Sequence, residues 1–338
     1  MTESFSGELL EIDLSDAENV SRQALAGFVS PRMAVDEVIA QLMDAELRGK
    51  SSHGLVRIPW LKERLGQVSH LPPVKSEIMP WFSRFECHKS LGYVAVRDGQ
   101  RELQRILRDQ PFGMVVCAGA FPSGVVGDYL RPLADSGYVA LGFATSPPLV
   151  SLTPGDKPVL GTNPVAVAMP GATDKPAFVA DISPAPATFG QLLAMLFGAK
   201  GELGELSVTT SDGKTPTKPN ELFDNHIRLT GQILQRFATT TQRRQYALTL
   251  AIELLTNLFA GENPQGALIL LAFDAQRLPG MHPDAAAGVI EQIAHNLDWQ
   301  AIPGSHGEAR LLKLRRQGNL PLPQPLWQTL QAMAESDS

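Results

Sequence analysis

The chain has 338 residues, a formal net charge of −6, 43% hydrophobic residues and 19% charged residues. That length supports a large buried core in one or two domains, and the composition excludes a disordered or fibrous chain. The mild negative charge argues against general nucleic-acid binding, which needs a concentrated basic face.

Periodicity predicts two amphipathic helices, over residues 17–29 and 32–48. Ala34, Val38, Ile39, Leu42 and Ala45 form the buried face of the second, with Ser30 as its cap and Pro31 at its first helical position. Gly49 stops that helix, Lys50 to Gly54 reads as a polar turn, and Pro59 opens a helix running to about Gln67. Prolines 72, 73 and 80 break any regular pattern between residues 68 and 88. A helix is expected from Leu91 to Arg108, followed by buried strands at Gly113–Cys117, Tyr138–Phe143, Val165–Met169 and Phe178–Asp181. Their alternation with helical or turn segments indicates an α/β or mixed architecture. Residues 199–224 read as a long polar surface excursion. A helix from about Thr241 to Ala260 has Leu248, Ala251, Ile252, Leu255 and Leu258 on one stripe and Gly261 as its C-cap. A strand at Gly266–Phe273 and helices at Pro283–Asn296 and Leu326–Ala334 complete the chain, with the basic stretch Arg310–Arg316 between those helices.

The two cysteines, Cys87 and Cys117, are too few for a disulfide framework, and Cys117 ends an apolar run as a buried thiol would. Residues 1–18 lack the basic-then-apolar shape of a signal peptide, and the longest apolar stretch, Ala267–Phe273, is far short of a membrane span. A cytoplasmic protein with no membrane partner is expected.

Three segments carry the chemistry. In Ser51–Arg57 an imidazole, His53, stands beside the Ser52 hydroxyl with a guanidinium, Arg57, four residues on. A protonated imidazole can donate to a carbonyl oxygen as hydride reaches carbon, while the planar fork of Arg57 holds a substrate carboxylate with two hydrogen bonds. Taken alone, the same residues suit a helix cap and a surface ion pair. In Gly161–Pro164, the Thr162 and Asn163 side chains can hydrogen-bond a substrate carboxylate or a cofactor amide, and Asn-Pro equally begins a plain turn. In Phe121–Asp128, Gly124 and Gly127 can free N–H groups near a helix start for a pyrophosphate. The segment does not match G-x-G-x-x-G, and no such fingerprint follows a strand in this chain. Histidines 53, 70, 88, 226, 282, 295 and 306 are scattered, so no metal site is expected.

Together these segments resemble the malate/L-lactate dehydrogenase family, the non-Rossmann group that includes sulfolactate and ureidoglycolate dehydrogenases and piperideine/pyrroline-2-carboxylate reductases. Asp44–Pro59 resembles its N-terminal signature, Leu160–Pro170 is the most specific match, Asp181–Ser183 resembles a strand-end motif, Tyr246–Leu255 the long helix, and Ile302 to Gly318 the C-terminal segment. The resemblance implies a sulfolactate-dehydrogenase-like α/β fold. Its central mixed sheet is flanked by helices, and the two chain ends (1–75 with 283–338) form a helical substrate lobe beside an NAD(P)-binding domain (76–282). It further implies a homodimer, a small-molecule substrate, and NADP or NAD as cofactor with NADPH slightly favoured. By position, His53 is the proton donor, Ser52 its relay partner, Arg57 the carboxylate binder, and Thr162 and Asn163 substrate contacts. Pro122, Ser123, Gly124, Val125, Val126, Asp181, Ile182, Ser183, Arg244, Gly304 and Arg310 are implied to line the cofactor. The chain departs from the family where Thr188-Phe-Gly-Gln191 puts Gln191 in place of the relay carboxylate, where the cofactor loop reads Pro122-Ser-Gly, and where Arg244-Gln245 precedes the long helix. The alternative is a catalytically impaired member acting as a binding or regulatory protein.

Overall fold

The computed structural model describes residues 8–171, 175–199, 203–261 and 266–336. A seven-stranded mixed sheet lies at its centre. In chain order its strands are β1 (Val74–Met79), β2 (Phe82–Glu86), β3 (Phe112–Ala118), β4 (Val139–Ala144), β5 (Val165–Met169), β6 (Phe178–Ile182) and β7 (Ala267–Phe273). Across the sheet they run β6-β5-β4-β7-β3-β2-β1, and of these pairs β2–β3 alone is parallel. The helices are α1 (Leu14–Ala26), α2 (Arg32–Leu47), α3 (Arg57–Leu65), α4 (Gly92–Asp109), α5 (Val126–Asp135), α6 (Phe189–Leu196), α7 (Thr240–Ala260), α8 (Pro283–Leu297), α9 (Ser305–Gln317) and α10 (Gln324–Ser336).

Strand β3 is an unbroken apolar run because both of its faces are covered. Val115 and Cys117 belong to the core under α4 and α5, whereas Met114, Val116 and Ala118 belong to the one under α7. A second large core unites the chain ends: Ala24 and Leu25 of α1, Ile39 and Leu42 of α2, Leu314 of α9 and Leu330 of α10. An antiparallel ribbon, Leu9–Asp13 with Asn319–Pro323, ties those ends together. This is the expected mixed α/β architecture with a helical lobe drawn from both termini. The predicted α2 face is fully inside, with Ala34, Val38, Ile39, Leu42 and Ala45 all buried.

Several local expectations change. Ser30 does not cap α2; it lies in a short strand whose carbonyl accepts the His70 N–H at 2.7 Å, and Pro31 stands just outside the helix. Helix α3 begins at Arg57, two residues before Pro59. The stretch 68–88 holds the hairpin β1–β2 turning at Pro80 and Trp81. All six residues of β1 are exposed at the sheet edge, so no alternation marks it in sequence. Residues 203–224 are no mere surface excursion, since Leu203, Val208 and Leu222 pack with Val150, Leu160 and Ile233 in a small third core. The basic stretch Arg310–Arg316 is helical, within α9.

Helix α7 turns only part of its predicted stripe inward: Ile252 is buried and Leu255 packs against the core under the helix, while Leu248, Ala251 and Leu258 are exposed. Its buried residues are Thr249, Ile252, Thr256 and Ala260, while Leu248 is 45% and Leu258 77% exposed. The threonines tolerate burial because each hydroxyl is satisfied inside the helix: Thr249 donates to the Gln245 carbonyl at 2.9 Å and Thr256 to that of Ile252 at 2.7 Å.

Candidate active site

The chemistry-bearing turn, Ser51–His53, joins α2 to α3 and is held from beneath. The buried Glu46 carboxylate accepts from the Ser51 hydroxyl at 2.6 Å and from the Leu55 N–H at 3.0 Å. Gly54 is required beside it, because a Cβ at that position would strike the same carboxylate. Burial pushes the Glu46 pKa up, against the two hydrogen bonds and the charge of Arg310. Arg310 donates to the Glu46 and Leu47 carbonyl oxygens, at 2.7 Å each, and Arg48 pairs with Glu308 at 2.6 Å. Helix α9 thereby clamps the end of α2 from which the turn springs.

The turn faces a cavity of about 300 Å³ whose wall includes Lys50, Ser52, His53 and Arg57. Ser52 Oγ lies 3.2 Å from His53 Nδ1. Burial holds the His53 pKa well below its ordinary value, and the Arg57 and Lys50 charges lower it further. Arg57 Nε donates to the Ser52 carbonyl oxygen at 2.7 Å, and its guanidinium carbon sits 5.3 Å from the Trp60 ring and 5.5 Å from the Phe189 ring. Gly190 closes against this group: a Cβ there would collide with the Arg57 guanidinium and stand 3.3 Å from the His53 ring.

The opposite wall is the loop entering α5, with Pro122, Ser123, Gly124, Val125 and Val126 all lining the cavity. The expected role for Gly127 changes. Its N–H donates to Asp181 Oδ2 at 2.9 Å, and the Val125 N–H donates to Gln41 at 3.3 Å, so these amides are already engaged. The Asp181 carboxylate occupies the positive end of α5 and also meets Lys50 Nζ at 3.4 Å. Thr162, Ser183 and Ser146 line the cavity between the two walls; Ser183 Oγ donates to the Thr162 carbonyl at 2.6 Å, and the Thr162 N–H donates to Ser146 Oγ at 3.2 Å.

Other expected residues stand apart from this wall. Asn163 is fully buried with φ of 40°, and its amide donates to the Thr249 carbonyl at 3.0 Å and to Glu253 at 2.7 Å, pinning the entrance of β5 to α7. Ile182 is 58% exposed, and Arg244 is exposed on α7. Gly304, with φ of 94°, packs on the Val179 backbone of β6, and Arg310 serves α2 as described. Gln191 donates its backbone N–H to the Thr188 hydroxyl that caps α6, and it does not line the cavity. Sequence reasoning passed over Glu46, Lys50, Tyr93, Ser146 and Phe189. Lys50 and Glu46 lie within Asp44–Pro59 and Phe189 within Thr188–Gln191, whereas Tyr93 and Ser146 carry no local signal.

The set fits a nicotinamide dinucleotide. Gly124 leaves one wall open where a Cβ would strike Gln41 and come within 2.6 Å of Tyr93, and Asp181, Ser183 and Ser146 offer the polar atoms that ribose hydroxyls and an amide require. An acid–base imidazole and a carboxylate-binding guanidinium facing such a cleft are the equipment of a hydride-transfer enzyme. The chain belongs to the malate/L-lactate dehydrogenase family, whose model matches residues 12–331, and it is thereby an NAD(P)-dependent oxidoreductase of 2-hydroxy or 2-oxo acids. It is 27% identical to a (2R)-3-sulfolactate dehydrogenase (NADP(+)) of Chromohalobacter salexigens, over 96% of this chain and 98% of that protein. A crystal structure of a dehydrogenase from Sinorhizobium meliloti matches with TM-score 0.77 at 25% identity, over 97% of this chain and 99% of that one. The Δ1-piperideine-2-carboxylate reductase of Pseudomonas syringae pvar. tomato shares the fold, with TM-score 0.75 at 18% identity over 96% and 99% of the two chains.

Proposed function

We propose that the protein reduces a small 2-oxo acid or cyclic 2-imino acid, or oxidises the corresponding 2-hydroxy acid, with His53 as the proton donor. The observation that carries this reading is the convergence of Ser52, His53 and Arg57 on one cavity wall opposite the 122–126 loop and Asp181. In this reading Arg57 grips the substrate carboxylate, immobilised by its bond to the Ser52 carbonyl and by the two rings beside it. His53 gives its proton to the carbonyl oxygen or imine nitrogen, while Ser52 at Nδ1 fixes the ring's orientation. The 122–126 loop, Asp181, Ser183 and Thr162 hold the cofactor and align the substrate against it. The nicotinamide, when bound, supplies the hydride. NADPH is favoured over NADH, supported by the NADP(+)-dependent relative from C. salexigens.

Fluorescence titration with NADPH and NADH, followed by oxidation assays with pyruvate, a longer 2-oxo acid and piperideine-2-carboxylate, tests this directly. Binding and oxidation are expected; failure of both cofactors to bind would remove the reading. Cofactor binding without turnover of any substrate would favour a binding or regulatory protein, the reading to which the uncharged Gln191 lends support.

The homodimer belongs to the same proposal. Ala247, Leu248, Ala251, Leu254 and Leu258 form an exposed apolar stripe on α7, with Leu254 63% and Leu258 77% exposed. The 3–4 spacing of Ala247, Ala251, Leu254 and Leu258 matches a seam against the same helix of a second copy about a two-fold axis. Light scattering after size exclusion should give twice the chain mass, and Leu254→Glu with Leu258→Glu should shift it to one. An unchanged mass in the double variant would place the interface elsewhere. A cytoplasmic setting suits the two buried free thiols, and among the described residues no helix is long and apolar enough to cross a membrane.

A further inference from the structure

We infer that the substrate is a 2-oxo or 2-imino monocarboxylate with an apolar body, rather than a dicarboxylate or a sulfonate; this rests on the oxidoreductase reading above. The argument comes from the wall around Arg57. Phe189 and Phe121 line the cavity there with Tyr93 and Leu149. These rings are locked from behind: Trp60 packs tilted at 5.1 Å from Phe189 and edge-on at 6.0 Å from Phe121, and Phe223 stands 6.0 Å from Phe189. Phe189 is buried and belongs to the large terminal core, so it cannot swing aside to admit a charged group.

Charge points the same way. Besides His53, the cationic side chains lining the cavity among the described residues are Arg57 and Lys50. Lys50 is paired with Asp181 at the α5 end, the part of the cavity proposed above to take the cofactor. Arg57 therefore answers one carboxylate, and a second acidic group on the substrate would be pressed against aromatic carbon without a counter-charge. An uncompensated buried anion is far costlier than an apolar group in the same place. The (2R)-3-sulfolactate dehydrogenase relative is named for a substrate with a second acidic group, so the substrate inferred here differs in class from that one.

The test measures kcat/KM for phenylpyruvate, 4-methyl-2-oxopentanoate, pyruvate, oxaloacetate and 3-sulfopyruvate with each nicotinamide cofactor. The same five acids are titrated calorimetrically into the NADP(+)-loaded protein. The two large apolar acids should exceed oxaloacetate and sulfopyruvate by tenfold or more in both measurements. Phe189→Arg should narrow or invert that ratio; should that buried substitution prevent folding, Leu149→Arg places a cation on the same wall. Oxaloacetate or sulfopyruvate matching or surpassing the apolar acids overturns the inference, as does a failure of all five acids to bind. If no acid is turned over yet the apolar ones bind preferentially, the proposed reduction of such acids falls and the monocarboxylate pocket stands.

Discussion

His53→Ala should lower kcat by about 10²–10⁴-fold in the reductive direction while leaving NADPH affinity within a few-fold of the parent, as fluorescence titration and steady-state assays together will measure. The size follows from the role. Positioned proton transfer is lost, but the residues proposed to hold the cofactor, the 122–126 loop with Asp181 and Ser183, lie on other segments than the imidazole. Its pH dependence can be signed in advance. Burial, then Arg57, then Lys50 hold the His53 pKa well below 6.5, so the imidazole is neutral at pH 7 when no anion is bound. Reduction needs the protonated ring and oxidation the neutral one. Reductive kcat/KM should therefore rise as the pH falls below 7, and oxidative kcat/KM should stay flat from pH 7 down to well under 6.5. Because the Arg57 charge is one of the lowering causes, Arg57→Met should move the reductive profile toward higher pH as well as raising KM for the acid. A profile that ignores both substitutions would place the proton donor elsewhere. An anionic substrate bound beside Arg57 would offset that same charge, so the carboxylate would itself favour the protonated ring that must donate its proton as hydride arrives.

Glu46→Ala should destabilise the fold by about 2–5 kcal/mol in denaturant unfolding, because it leaves the Ser51 hydroxyl and the Leu55 N–H buried without their acceptor. It should also reduce kcat severely in whatever protein remains folded, since those two bonds shape the turn that presents Ser52 and His53. Glu46→Gln retains one acceptor and should cost less. The linkage distinguishes the two. The folded pKa of Glu46 is raised above 4.5 by burial, so its contribution is complete at low pH and is lost as pH climbs through the folded value. The stability deficit of Glu46→Gln relative to the parent should therefore shrink as pH rises above about 4.5. A deficit that widens with pH would mean that the carboxylate is held ionised by its partners instead.

Much of the architecture was legible from periodicity. The α2 face, the buried strands β3 to β6 and the long helix α7 each follow from apolar residues recurring at 3.6 or in unbroken runs, and the Ser52, His53 and Arg57 set stood within seven consecutive residues. The hairpin β1–β2 was not legible, because a strand exposed along its whole length carries no alternation. The α7 stripe misled in part for a related reason: Thr249 and Thr256, their hydroxyls bonded to their own helix, share the buried face with Ile252, leaving Leu248, Leu254 and Leu258 to face outward.

Composition and local pattern by themselves determined that this is a mixed α/β protein with an imidazole and a guanidinium four residues apart after its second helix. Tertiary structure alone decided what surrounds them. Glu46 and Arg310, 264 positions apart, meet beneath that turn, and Phe189 and Phe121 arrive from distant segments to wall the cavity. Asn163 was drawn away from the site by Thr249 and Glu253 on α7, and Gly127 was occupied by Asp181. Periodicity reports which face of an element avoids water, whereas a binding site depends on which elements share that space, and only long-range packing sets this.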